Sequence, residues 1–341
     1  MTSVRVAQCW QTFKRRKRSR VSLIVFLALF ALSLLAPVLA NDKPLVLLYR
    51  GSVFFPIWAP MMDNQLGGSL PTAADFNDSD TRRQIRQNGG MIMPPVRWSH
   101  DTVDYESDEA LPAPPSPRHW LGTDDQGRDI LARVLYGMRV SLIFGILLTL
   151  LSAVIGVAVG AVQGYFGGRR DLYIGRFLEV WSSLPQLFIL IIISSIITPS
   201  YASLLIVLLL FSWTSLTGVV RAEFLKTRNL DYVKAARVLG VSDSVIITRH
   251  ILPNALVATL TYLPFMLSGA IVALSALDFL GLGLPVGTPS LGELVRQGKE
   301  NLHAPWIGLA IFAVLTMILS LLLLMGEGLR DALDPHEGER G

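Results

Sequence analysis

Six apolar runs constrain the fold of this 341-residue chain more than any other feature. They occupy residues 21–40, 139–162, 177–198, 202–220, 256–284 and 305–325. A helix needs about 20 residues to cross ~30 Å of hydrocarbon, so each run reads as one transmembrane helix. The expected fold is therefore an all-α polytopic membrane protein with six transmembrane helices. Charged residues make up only 16% of the chain, well below the roughly 25% of soluble domains. The fifth run is overlong and contains Pro264, Gly269 and Gly281, which predicts a tilt, a kink or a break.

Charge beside the runs sets their direction. The N-terminal segment carries Arg5, Lys14, Arg15, Arg16, Lys17, Arg18 and Arg20 with no acidic residue, which predicts retention in the cytoplasm. Arg169, Arg170 and Arg176 outnumber Asp171 after the second run. Residues 221–254 hold Arg221, Lys226, Arg228, Lys234, Arg237 and Arg249 against Glu223, Asp231 and Asp243. Alternation from an inside N-terminus puts all three segments on the cytoplasmic side and brings the C-terminus back there. The first run is favoured as a retained anchor over a cleaved signal ending at Val38-Leu39-Ala40, because the basic region is long and the run reaches spanning length. Cys9 is the only cysteine and lies on the reducing side, so neither a disulfide framework nor a cysteine metal site is available.

Residues 231–254, DYVKAARVLGVSDSVIITRHILPN, form a polar, helix-patterned segment between two apolar runs. Residues 230–239 predict a short helix with Asn229 as N-cap and Tyr232, Ala235, Ala236 and Leu239 on one face. Gly240 can close it in the left-handed conformation, and Ser242 can cap a second helix that reaches Ile251 before Pro253. With Lys234-Ala235-Ala236, then Gly240, His250 and Leu252-Pro253, this segment resembles the EAA loop of ABC importer permeases. Lys234 stands where that family has glutamate and His250 where it has isoleucine.

Residues 41–133 are rich in Pro, Gly, Asp and Ser, which argues against a large independent core. Phe54, Phe55, Trp58, Phe76, Trp98, Tyr105 and Trp120 offer anchors for a lid on the outer face. Residues 63–88 read equally as a flexible spacer. Residues 121–142, LGTDDQGRDILARVLYGMRVSL, carry Asp124 and Asp125 as helix caps, Gly127 for a turn and a local Arg128–Asp129 pair before an amphipathic helix. Asp124, Asp125 and Asp129 lack the spacing of a calcium loop, so no metal site is expected. This segment resembles the lead-in to the second span of dipeptide, oligopeptide and nickel permeases. Residues 277–292, LDFLGLGLPVGTPSLG, look like the end of the fifth span in the same subfamily. Asp278, followed by Gly281 and Gly283, is a candidate pathway or gate residue, or a lock between helices.

The chain contains no phosphate-binding Gly-x-x-x-x-Gly-Lys-Ser/Thr loop, and its five histidines are scattered without a catalytic motif. An enzyme is therefore not expected. The resemblance implies a type I ABC importer permease with a long extracytoplasmic insertion after the first helix. It divides the chain into a basic cytoplasmic N-terminus at 1–20, a first helix at 21–40, a periplasmic segment with its lead-in helix at 41–138, a core permease domain at 139–326 and a cytoplasmic tail at 327–341. It further implies a bacterial inner membrane location, a second permease subunit in a heterodimer, two cytosolic ATPase domains that bind ATP and Mg, and a periplasmic substrate-binding protein. Lipid is the surrounding partner, and no nucleic acid is expected. Asp231, Lys234, Ala235, Ala236, Gly240, Leu252 and Pro253 would couple the chain to the ATPase, and peptides or peptide-like compounds of the oligopeptide or microcin C type would be the cargo. An ion-coupled secondary transporter using Asp278 is the rival reading.

Overall fold

The computed structural model describes residues 16–68, 72–105, 109–196, 200–285 and 287–333. Expectations that rest on Arg5, Cys9, Lys14, Arg15 or the tail after residue 333 lie outside the described residues. The chain begins with helix α1 (Lys17–Leu34), followed by a short helix α2 (Ala36–Leu39). Pro37 cannot donate to the carbonyl of Ser33, so the first run is interrupted instead of forming one helix through residue 40.

A small cap follows. Strands β1 (Val46–Tyr49) and β2 (Ser52–Phe54) form a hairpin whose turn residues, Arg50 and Gly51, both have positive φ, at 50° and 79°. That geometry matches the twist of paired strands. Helix α3 (Ser79–Asn88) is capped by Asp78, which accepts from the amides of Asp80 and Thr81. Strand β3 (Gly89–Ile92) completes an antiparallel sheet of order β2-β1-β3. Alternation turns Leu47 and Tyr49 inward onto Met61, Leu66, Phe76 and Ile85, while Leu48 faces out. The described parts of residues 63–88 are thus an ordered portion of a small core and not a spacer. Of the proposed aromatic anchors, Phe76 and Trp98 are buried; Phe54, Phe55, Trp58, Tyr105 and Trp120 are exposed.

The remaining helices build the bundle. Helix α4 (Ile130–Phe166) is one rod of 37 residues, so the lead-in helix and the second span are a single element that starts before residue 139. Asp129, whose carboxylate accepts from the Ala132 amide at 2.8 Å, caps it in place of Asp124 or Asp125. Helices α5 (Gly168–Ser182) and α6 (Gln186–Ile196) are bent by 67° at the break before Pro185, where one continuous span was expected. Then come α7 (Tyr201–Thr227), α8 (Asp231–Val238), α9 (Asp243–Phe279), α10 (Leu291–Glu300) and α11 (Pro305–Leu333). Helix α9 passes through Pro264 without breaking and stops at Phe279, short of residue 284.

Among the described residues, four helices are long and apolar enough to cross a membrane: α4, α7, α9 and α11. The bent pair α5 and α6 makes a fifth. Helix α1 has three basic residues in its first turn, and its uncharged part is too short to qualify alone, so the expected six spans reduce to four or five by this measure. It nevertheless packs along α11, and Arg16 pairs with Asp331 at 2.5 Å, which brings the beginning and end of the described chain to the same side of the bundle. Helices α4 and α7 approach closely because Ser152, Gly156, Gly160 and Gly164 recur every fourth residue. A β-carbon at Gly160 would lie 2.7 Å from the Thr217 carbonyl oxygen, and one at Gly164 would lie 2.5 Å from the Phe224 β-carbon. Small residues allow this contact in lipid, where dispersion and close fit hold helices together.

Candidate functional site

The hairpin of α8 and the start of α9 is anchored on one side and open on the other. Val233 and Ala236, three residues apart, sink into a cluster with Phe224, Ile246, Ile251 and Ala255. Val238 and Leu239 are 87% and 81% exposed at the turn. The predicted face of Tyr232, Ala235, Ala236 and Leu239 is therefore split, because Ala236 is used internally while Ala235, Tyr232 and Leu239 face out. Lys234 is exposed beside the fully exposed carboxylate of Asp231, 3.5 Å away.

Gly240 adopts φ 79°, and the Val241 amide donates to the Ala236 carbonyl while the Gly240 amide donates to that of Arg237. These are the paired bonds of a glycine-closed helix end. Asn229 does not cap α8; its amide donates to the Leu225 carbonyl at the end of α7, and Leu230 occupies the cap position. Ser242 occupies the next cap position without a side-chain bond. The second arm does not stop at Pro253. A wide π-turn at Ile246–Ile251 leads directly into Leu252 and Pro253, which begin a regular helix there. Proline is tolerated at a first turn, and the wider turn avoids its clash with the preceding coil. Hairpin and membrane helix are consequently one continuous rod. Tyr232 braces the two arms: its hydroxyl donates to the His250 carbonyl at 3.3 Å and accepts from Asn254 at 3.1 Å.

At the opposite end, charges are buried and paired. Asp124 and Arg133 are fully buried. Arg128 bonds Asp124 at 2.7 Å, and Arg133 bonds Glu293 of α10 at 2.6 Å and lies 3.5 Å from Asp124. The expected Arg128–Asp129 pair is replaced by this network. Asp125 remains nearer the surface, where burial first and then the Asp124 charge raise its pKa. Buried His119 sits between two carboxylates, with Nδ1 2.9 Å from Asp129 and Nε2 3.2 Å from Asp104. Burial opposes its charged form, but both hydrogen bonds favour it, and the net effect raises its pKa above the ordinary 6.5. Among the described residues no group of three or more His, Cys, Asp or Glu is arranged to hold a metal.

Asp278 belongs to this closed end. It is buried; one carboxylate oxygen accepts from the Leu284 amide at 2.7 Å, and the other accepts from the Ser290 hydroxyl that caps α10. A side chain at Gly283 would collide with this carboxylate, and Gly281 supplies the left-handed turn at φ 74° that folds the chain back. Asp278, Gly281 and Gly283 thus clamp α9 to α10 within this chain. Of the expectations for Asp278, these contacts are those of a lock between helices.

The bundle instead opens a cavity of about 300 Å³ between α4, α6, α7 and α9. Thr149, Ser152, Gln186, Ser212 and Tyr262 give it polar but uncharged walls, beside Phe211 and Phe265. Ser152 and Ser212 are 2.6 Å apart, whereas the buried Thr149 hydroxyl has no hydrogen-bond partner. Sequence reasoning missed these residues. The four-residue repeat beginning at Ser152 was the signal for the helix contact beside them.

Residues 154–337 match the family described as binding-protein-dependent transport system inner membrane component, and residues 6–66 match the N-terminal TM domain of oligopeptide transport permease C. The chain is 50% identical to the inner membrane ABC transporter permease protein YejE of Escherichia coli K12 over 328 residues, covering 96% of each. It is 47% identical to the peptidoglycan transport system permease protein YejE of Agrobacterium fabrum, covering 96% of this chain and 92% of that one. Identity to the oligopeptide transport system permease protein OppC of Mycobacterium tuberculosis H37Rv is 37%, covering 72% of this chain and 84% of that protein. In structure, a chain of the MetNI methionine ABC transporter in inward-facing conformations superposes with a TM-score of 0.51 at 14% identity. The match covers 60% of this chain and 97% of that one.

Proposed function

This chain belongs to the family of inner-membrane components of binding-protein-dependent transport systems, the permeases of ABC importers, and from that premise we propose that it forms half of a peptide-conducting pathway driven by cytosolic ATPases. The observation that carries the reading is the hairpin, which is anchored by Val233 and Ala236 yet presents Val238 and Leu239 to solvent. Exposed apolar residues on a rigid, otherwise polar element mark a surface that a partner covers. The net basic charge of the hairpin segment supports a cytoplasmic position for this surface, and for the N- and C-termini with it. Lys234 then meets a carboxylate or water in the ATPase groove, where relatives of the EAA type present an acid.

Transmission follows from continuity. A push on the hairpin moves α9 as one rod from Asp243 to Phe279, and Asp278 ties its far end to α10. ATP and Mg are held by the ATPase partners, and a second permease subunit supplies the other wall of the path. A soluble binding protein delivers the cargo on the opposite face. Peptides are the proposed cargo, in keeping with the named oligopeptide and dipeptide permease relatives. The uncharged hydroxyl and amide groups of the cavity can hydrogen-bond peptide backbone without selecting side-chain charge.

Proteoliposomes that hold the complete transporter test this reading. A labelled tripeptide should accumulate only with ATP on the hairpin side and binding protein on the other. Gln186→Leu should reduce uptake while the ATPase remains assembled. Accumulation driven by an ion gradient without ATP would overturn the proposal.

A further inference from the structure

A second cavity, of about 430 Å³, lies against the first membrane turns of α4 on the cap side. His100 lines it together with Tyr136, Arg139, Ile143 and Leu147 of α4 and Tyr201 at the start of α7. Arg139 is the last charge before the apolar part of α4, and the next charged residue is Arg169. It stands six residues, or about 9 Å, beyond Arg133 and its buried network. Unlike Arg133, Arg139 forms no hydrogen bond or ion pair with the described residues. No carboxylate is among the described residues that line the cavity.

Two further polar groups of the wall lack partners. The buried Tyr201 hydroxyl has no hydrogen-bond partner, although its ring is fixed edge-on to Phe144 at 5.2 Å. Buried His100 Nδ1 has none either, because the exposed carboxylate of Asp101 is 3.7 Å away, too far for a hydrogen bond. Tyr136 is engaged: its ring packs edge-on against His100 at 4.6 Å, and its hydroxyl donates to the Ala40 carbonyl at 3.1 Å. Along α4 from the cavity, Ile143, Leu147, Leu150 and Val154 recur every three or four residues on one face, and all are exposed. A cation and two unpaired polar groups thus head an open apolar stripe.

We propose that this cavity binds an anionic phospholipid of the cap-side leaflet, with its phosphate on Arg139 and one acyl chain along the α4 stripe. A guanidinium meets phosphate oxygens as a two-pronged donor. Tyr201 and His100 supply further hydrogen-bonding groups to the headgroup. The ammonium of a zwitterionic lipid would find no carboxylate in the wall, so net negative charge is favoured, as in other basic pockets between membrane helices. The site goes beyond the importer reading and is independent of it.

Native mass spectrometry of the full-length chain, purified with its partners in mild detergent, tests the site. Dioleoylphosphatidylglycerol, dioleoylphosphatidylcholine and inorganic phosphate serve as probes. Phosphatidylglycerol should bind the site about tenfold more tightly than phosphatidylcholine. Arg139→Gln should lower the number of bound phosphatidylglycerol molecules by one per copy of this chain, and Arg139→Lys should retain part of the affinity. Neither substitution removes a hydrogen bond or ion pair among the described residues. An unchanged number in Arg139→Gln, equal binding of the two lipids at the site, or displacement of the bound lipid by equimolar inorganic phosphate would each overturn the proposal. Loss of a copurifying membrane subunit in Arg139→Gln would give the cavity to a protein partner and overturn it as well.

Discussion

The two ends of the bundle treat charge in opposite ways. At the cap end, Asp124, Arg128, Arg133 and Glu293 satisfy one another out of water, and Asp278 is occupied by the Leu284 amide and Ser290. At the hairpin end, Asp231 and Lys234 stand in solvent beside exposed Val238 and Leu239. The first end is complete within one chain. The second is finished on the side that meets its own helices and unfinished on the side facing away. A buried charge network stabilises only when every member is present, whereas an exposed apolar tip contributes little until something covers it.

That contrast breaks first at Arg133. Arg133→Met should cost about 3–5 kcal/mol, because Glu293 and Asp124 would be left buried with fewer partners. Thermal unfolding of the purified chain in detergent measures this, and a loss below about 1 kcal/mol would mean that water reaches the cap end freely. Gly240→Val tests the other end. A β-branched residue at φ 79° should add strain of about 1–3 kcal/mol, confined to the hairpin. The expected readout is ATP hydrolysis that continues without uptake, in a subunit that still inserts at normal levels.

Replacing both tip residues, as Val238→Asp with Leu239→Asp, sharpens the contrast further. Stability should stay within about 0.5 kcal/mol per site, as for ordinary surface changes. Copurification of the ATPase should fall by about tenfold, equivalent to roughly 1.4 kcal/mol of binding. Retained copurification would move the docking surface elsewhere.

The smallest effect is expected at His119. Its pKa is raised in the folded chain, so its stabilisation is fully present below the ordinary value of 6.5 and is lost as pH rises through the folded value. The slope cannot exceed about 1.4 kcal/mol per pH unit for one group. Melting temperature should therefore fall on the alkaline side of 6.5 in the native chain, and His119→Gln should flatten that part of the profile.

Much of the membrane architecture was legible because hydrocarbon imposes a length and a polarity that a sequence must meet locally. The runs that became α4, α7, α9 and α11, the turn at Gly240 and the helical hairpin all follow from neighbouring residues. Errors arose where a distant element decided the outcome. The run expected to be continuous over 177–198 is divided at Pro185, which separates α5 from α6, whereas Pro264 lies inside an unbroken α9. Both prolines remove the same hydrogen bond, so the sequence alone does not distinguish them. Ala235 and Ala236 are identical in sequence, yet only Ala236 is buried, because Ile246 and Ile251 return beside it after the turn.

The sequence by itself determined that this is a helical membrane protein with a polar helical hairpin, since apolar length, flanking charge and a glycine-closed turn act over a few residues. Tertiary structure alone decided what its ionisable groups do. Asp278 reads equally as a pathway or gate acid and as a lock between helices, and only the fold brings Ser290, twelve positions later, onto its carboxylate. Arg133 lies at the start of α4, and its partner Glu293, 160 positions away, is found at 2.6 Å. Electrostatic energy depends on the distance and solvation of both partners, and chain folding sets both.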